Sequence, residues 1–172
     1  GSAGDDEIDF TGITSDPGGF VVVDYSSIGA TIDVQVDGGA NTGSVVKDGL
    51  GTDTFTNVNA PLFSGWTTGG LSIVGTSGAD TFNVSPEGEQ WMSIQPGDGI
   101  DTIIVNGNGT ERVEGADPIG AVRLDMSDGT QGIDVNLATR TIADDGFGNA
   151  ETIGGTAPVW EVRGTAGNDT FV

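Results

Sequence analysis

The chain has 172 residues, 5 of them basic and 26 acidic; its formal charge of −21 excludes clustered phosphate contacts and with them a nucleic-acid partner. Nineteen of the acids are Asp and 31 residues are Gly, a composition of turns and short oxygen ligands rather than of helices. The lack of Cys removes disulfides and thiolate metal sites, and no apolar run approaches the roughly 20 residues of a membrane helix, so no membrane insertion is expected.

The chain opens on Gly1-Ser2-Ala3-Gly4-Asp5-Asp6-Glu7-Ile8, which reads Gly, small, small, Gly, any, Asp, any, apolar. The apolar run Phe20 to Val23 and the alternating stretch Thr31 to Asp37 predict two strands. Gly49-Leu50-Gly51-Thr52-Asp53-Thr54-Phe55 keeps the Gly-any-Asp-any-apolar core of the opening motif. Past a strand predicted at Leu71 to Val74, Gly75-Thr76-Ser77-Gly78-Ala79-Asp80-Thr81-Phe82 restores the full form. Gly97-Asp98-Gly99-Ile100-Asp101-Thr102-Ile103 gives the shorter one and leads into a strand at Ile103 to Val105. Gly132 to Leu137 alternates again, and Gly146-Phe147-Gly148-Asn149-Ala150-Glu151-Thr152-Ile153 is a degraded copy in which Ala150 replaces the Asp. A strand is predicted at Val159 to Val162, and the chain closes on Gly164-Thr165-Ala166-Gly167-Asn168-Asp169-Thr170-Phe171. No window carries the periodicity of an amphipathic helix.

The glycine before each Asp pair falls at positions 4, 51, 78, 99, 148 and 167, with gaps of 47, 27, 21, 49 and 19 residues. The two long gaps are each about twice the others, which predicts seven or eight coils of 19–27 residues with two coils lacking the loop motif. The expected architecture is all-β, a parallel β-solenoid forming one domain over 1–172, with a β-sandwich as the structural alternative. Position 4 maps onto 99, 51 onto 148 and 78 onto 167, and Ile32-Asp33-Val34 maps onto Ile133-Asp134-Val135, so an internal duplication of about 1–94 and 95–172 is expected.

Glycines of this spacing can adopt the positive φ that turns successive carbonyls toward one point, and each Asp adds a carboxylate. Six to eight hard oxygens at about 2.3–2.6 Å are what calcium requires. The candidate ligand positions are Asp6, Asp53, Asp80, Asp101 and Asp169 with Gly49, Gly51, Gly78 and Gly99. The competing reading is that each Asp caps backbone amides in a tight turn.

The motifs at Asp48 to Phe55 and Pro96 to Ile103 resemble the glycine-rich calcium-binding repeats of RTX (repeats-in-toxin, hemolysin-type) proteins, matching all but the first position of Gly-Gly-any-Gly-any-Asp-any-apolar-any. Val23-Asp24-Tyr25-Ser26 and the closing motif resemble connecting segments of large secreted proteins of that class. The resemblance implies a calcium-stabilised β-roll or β-helix, exported from a Gram-negative bacterium and folded where calcium is plentiful. In that family the nonapeptides run in tandem, whereas here one motif stands per coil. Stacking in register is expected to bring Asp53, Asp80 and Asp101 onto one edge, to leave Asp169 facing the degraded loop at Ala150, and to leave Asp6 without a partner loop.

The expected function is a non-enzymatic, calcium-binding structural segment of a secreted or cell-surface bacterial protein, such as an adhesin stalk, surface-layer or filament component, stacking end to end with other copies or neighbouring repeats. No His, one Lys, one Tyr and four Arg leave few acid–base groups other than carboxylates. The alternative is a carbohydrate-binding or carbohydrate-active module with an extracellular glycan as partner. Trp66, Trp91, Trp160 and Tyr25 would be its stacking platforms, and Asp144-Asp145 or Glu87 with Glu89 its acid pairs. Arg112, Arg123, Arg140 and Arg163 are too scattered to suggest a carboxylate clamp, and a column of Thr54, Thr81, Thr102 and Thr170 raises an ice-binding reading that the irregular loops disfavour. A third reading attributes the charge to a high-salt habitat.

Overall fold

A computed structural model describes residues 1–13, 20–59, 70–87, 90–107 and 121–172. Among these residues the chain forms fifteen strands and no helix. They are β1 Glu7–Asp9, β2 Phe20–Asp24, β3 Ile32–Asp37, β4 Thr42–Lys47, β5 Gly51–Thr56, β6 Gly70–Val74, β7 Thr81–Ser85 and β8 Trp91–Gln95, followed by β9 Thr102–Val105, β10 Ala121–Asp125, β11 Asp134–Asn136, β12 Thr141–Asp144, β13 Glu151–Gly155, β14 Val159–Arg163 and β15 Thr170–Phe171.

The strands make two sheets. A five-stranded sheet, wholly parallel, runs β14-β10-β8-β6-β2, and a ten-stranded mixed sheet runs β1-β5-β4-β3-β7-β9-β13-β12-β11-β15. The chain alternates between them, except that β3 to β5 and β11 to β13 stay in the larger sheet as antiparallel meanders. In each meander the last strand pairs in parallel with the strand that preceded the excursion and the first pairs with the strand that follows it. The pairing order β1-β5-β4-β3-β7 therefore recurs as β9-β13-β12-β11-β15.

The meanders change the expected coil count. Among the described residues, the 47- and 49-residue gaps use their length in folding back within one sheet rather than in a motif-less coil, and five strands lie in the smaller sheet. The all-β class stands as expected.

Period-two alternation explains the larger sheet. In β3, Ile32, Val34 and Val36 turn inward while Asp33, Gln35 and Asp37 face solvent. Parallel registry then stacks Val34, Phe82, Ile103 and Ile153 in one inward row across β3, β7, β9 and β13. Leu71, Ile73, Met92, Ile94, Val122 and Leu124 of the smaller sheet belong to the same continuous core. Burying each such side chain contributes about 1.5–3 kcal/mol, enough for the paired sheets to fix the loops at their ends.

Candidate functional site

Each glycine loop leads into a strand of the larger sheet, which places Asp53, Asp80 and Asp101 two residues before the buried side chains of Phe55, Phe82 and Ile103. Asp and apolar residue therefore share a face, and the carboxylates line the end of the core. Asp53, Asp80 and Asp101 are each 1% exposed. Asp169 is half-buried, and Asp6 is exposed.

The buried carboxylates take backbone amides. Asp80 accepts from the Ile32 amide at 2.8 Å, the Thr76 amide at 2.6 Å and the Thr76 hydroxyl at 3.0 Å. Asp169 repeats the arrangement with the Ile133 amide at 3.0 Å and the Thr165 hydroxyl at 3.0 Å. Burial pushes the Asp80 carboxyl up against those bonds, whereas the Ile133 amide holds Asp169 below the usual range. Asp101 accepts the Asp80 amide at 2.7 Å on Oδ1, and Asp53 accepts the Asp6 amide at 3.2 Å on Oδ1. The capping role weighed against calcium ligation thus operates at all four of these carboxylates.

Asp53 carries two further partners. Its Oδ2 accepts the Tyr25 hydroxyl at 2.8 Å, and burial, with that bond, pushes the tyrosine up. Its Oδ1 accepts the ammonium of Lys47, which is 1% exposed. Lys47 Nζ also donates to the carbonyls of Ser2 at 2.8 Å and Gly4 at 2.7 Å and lies 3.9 Å from Asp6 Oδ2. A cation is therefore built into the first glycine loop, held wholly by oxygens.

The loops stack as glycine requires. Gly51, at φ +112°, would set a Cβ 2.7 Å from the Gly4 carbonyl, and Gly99, at φ +116°, would set one 2.5 Å from the Gly78 carbonyl. Gly49 shares the positive φ without a close neighbour.

Three expected adjacencies differ. Asp80 and Asp101 do meet, just ahead of β7 and β9, but β4 and β3 separate Asp53 from Asp80, so the three do not form one edge. Asp6 is not without a partner, because β1 pairs with β5 and sets it beside Asp53. Asp169 stands beside β11 rather than opposite Ala150, because β15 pairs with β11, although Thr165 of its motif packs close to Gly146 of the degraded loop.

The degraded loop also contains an acid that motif spacing misses. Thr152 pairs with Thr102 and Ile153 with Ile103, so Glu151, not Ala150, stands opposite Asp101. Glu151 is 3% exposed, and neither its carboxylate oxygens nor Asp101 Oδ2 has a hydrogen-bond partner outside this pair; the one bond open to them, carboxyl to carboxyl, needs a proton between the two. Asp145, also buried, lies near both, its carboxylate taken up by the Phe147 amide at 2.8 Å and the Asn149 amide at 3.0 Å. Burial pushes the Asp101 carboxyl up, with Asp80 and Asp145 adding to the effect; burial pushes Glu151 further up, with Asp101 and Asp145 adding. Among the described residues no Lys or Arg pairs with these acids, and Arg140 donates instead to the carbonyls of Ile153, Gly154 and Ala157. No three acidic side chains among the described residues converge at metal-ligand distance.

The sugar-stacking candidates are placed differently. Tyr25 and Trp91 are buried, and the Arg123 guanidinium lies 4.8 Å from the Phe20 ring and 5.9 Å from that of Trp91. Trp160 is exposed, whereas Trp66, Glu89 and Arg112 lie outside the described residues. Asp144 and Asp145 cap their own turn. Thr81 and Thr102 are adjacent, but Asp33 opposes Thr81, Glu7 opposes Thr54 and Asp134 opposes Thr170, which breaks the threonine column with charge.

No protein-family model, no curated protein and no solved structure matches this chain.

Proposed function

We propose that this chain is a calcium-stabilised β-solenoid segment of a secreted or cell-surface bacterial protein, and that its work is mechanical spacing coupled to calcium rather than catalysis. The observation that carries the reading is the buried contact between Asp101 and Glu151, three of whose four carboxylate oxygens have no partner outside the pair. Two ionised acids desolvated side by side need a proton or a cation. With no Cys or His in the chain the donors are oxygens, which favours a hard cation. The repeated passage between a wholly parallel sheet and a mixed one supports the solenoid, and carboxylates occupied by backbone amides rather than aimed into a cleft support a structural role.

Circular dichroism and calorimetry of chelator-treated protein, with calcium titrated in and magnesium and NaCl as controls, test the reading. A cooperative gain in melting temperature specific to calcium is expected. Equal stability in chelator and in calcium would overturn it. Binding or cleavage of alginate or pectin without a calcium response would point to the carbohydrate module instead.

A further inference from the structure

The two recurring pairing units treat the same place in opposite ways. Ile8 pairs with Phe55 in the first and Ile103 with Ile153 in the second, so Asp6 corresponds to Asp101, Asp53 to Glu151, Ser2 to Gly97 and Gly4 to Gly99. Lys47 and Asp145 each stand six residues ahead of the inward acid, Lys47 as the last residue of β4 and Asp145 just past the end of β12, and both are buried. Where the first unit supplies an ammonium, the second supplies a third carboxylate.

We infer that the second unit holds a divalent cation of the calcium type between Asp101 and Glu151, at the place the Lys47 ammonium fills in the first. This rests on the calcium reading above and gives it a particular site. Its donors correspond to those around Lys47: the carboxyls of Asp101 and Glu151 with the carbonyl positions Gly97 and Gly99. Asp145 contributes charge nearby while its oxygens serve the turn.

Two observations beyond the clustering of acids point to an ion. Glu151 is 3% exposed, and its two oxygens and Asp101 Oδ2 beside them find no donor outside the pair, leaving only a shared proton or a cation to join them. The neighbouring unit, built on the same pairing, already encloses a cation in oxygen ligands. Charge selects the valence. Lys47 offsets one of the two carboxylates it faces, Asp53 and Asp6, and a divalent ion would offset two of the four formed by Asp101, Glu151 and the Asp80 and Asp145 that act on them, leaving half uncompensated in each unit. Because no three of these carboxylates converge at ligand distance, rotation about the Glu151 side-chain torsions accompanies binding.

The test is calorimetric titration of the full, chelator-stripped chain with CaCl2 and, separately, MgCl2, alongside Asp145→Lys and Glu151→Gln. The lysine variant reproduces the first unit's internal ammonium, so it should lose one calcium equivalent, or bind that equivalent at least tenfold more weakly, while melting in chelator no lower than the parent. Glu151→Gln, close in shape, should show the same loss of calcium binding and decides the question if the lysine fails to fold. A parent that responds to calcium together with folded variants giving an unchanged isotherm overturns this site but leaves the broader reading intact. A parent that binds no calcium overturns both, and magnesium binding as tight as calcium overturns the calcium-type assignment.

Discussion

Lys47 is the only lysine in the chain and is buried at the end of β4, where an ammonium would be costly without its ring of oxygens. The Ser2 and Gly4 carbonyls and the Asp53 carboxylate supply that ring, while the Tyr25 hydroxyl satisfies the other Asp53 oxygen. Lys47→Met keeps much of the side-chain volume but strands the Asp53 carboxylate, and removing one partner of a buried pair costs about 3–5 kcal/mol. Urea unfolding followed by circular dichroism should show a loss of that size; a change below about 0.5 kcal/mol, the range of ordinary surface substitutions, would mean that the pair does not hold the loop. Asp9 shows the milder, exposed version of such chemistry. Hydrogen bonds from the Asn57 side chain and from Thr11 hold its carboxyl down at about 2, outweighing desolvation, which at Asp80, Asp101 and Glu151 is the leading effect.

At the scale of elements, the glycine loops can approach one another only where a Cβ is missing. Gly99→Ala would place its Cβ 2.5 Å from the Gly78 carbonyl at a φ of +116°, whereas Gly49→Ala, at φ +68°, meets nothing within 4 Å. Positive φ alone costs a non-glycine residue about 1–3 kcal/mol. Chemical denaturation should therefore find Gly99→Ala the more damaging of the two, with Gly49→Ala within the backbone cost; equal losses would show that loop stacking contributes nothing. The strands following these loops were legible because one motif marks both the turn and the first inward side chain: Phe82 in β7 and Ile103 in β9 fall where the pattern puts them. The antiparallel strands were not. β4 interrupts its alternation with Gly43 and Ser44 and buries a lysine, and β12 offers Ile142 as its single inward apolar residue. Without those strands Asp53 seemed to neighbour Asp80, since pairing partners depend on contacts between distant segments and not on motif phase. Glu151 escaped notice for a smaller reason: one extra residue lies between Gly148 and Ile153 compared with Gly51 and Phe55, so spacing alone selects Ala150.

Across the whole molecule, the buried acids account for only part of the −21 charge. Asp53, Asp80, Asp101, Asp145 and Glu151 are buried among the described residues, while strands such as β3 turn Asp33 and Asp37 to solvent. Two different cation effects follow. Exposed acids repel one another through water, and salt weakens that repulsion as the screening length falls from about 8 Å at 0.15 M to about 3 Å at 1 M. A buried site responds instead to the identity of the ion and saturates with its occupancy. Melting temperature should thus rise gradually with NaCl and equally with KCl, levelling off by about 1 M, where screening is already shorter than the spacing of most surface charges. Glu151→Gln should retain this gradual response while losing its share of the response to millimolar calcium. If the protein were unfolded at moderate ionic strength even with calcium and folded only in several molar salt, the surface charge would set its stability and a high-salt habitat would explain the composition better than internal calcium. Folding at low salt with a saturable calcium increment assigns the surface acids to solubility and the few buried ones to holding the architecture together.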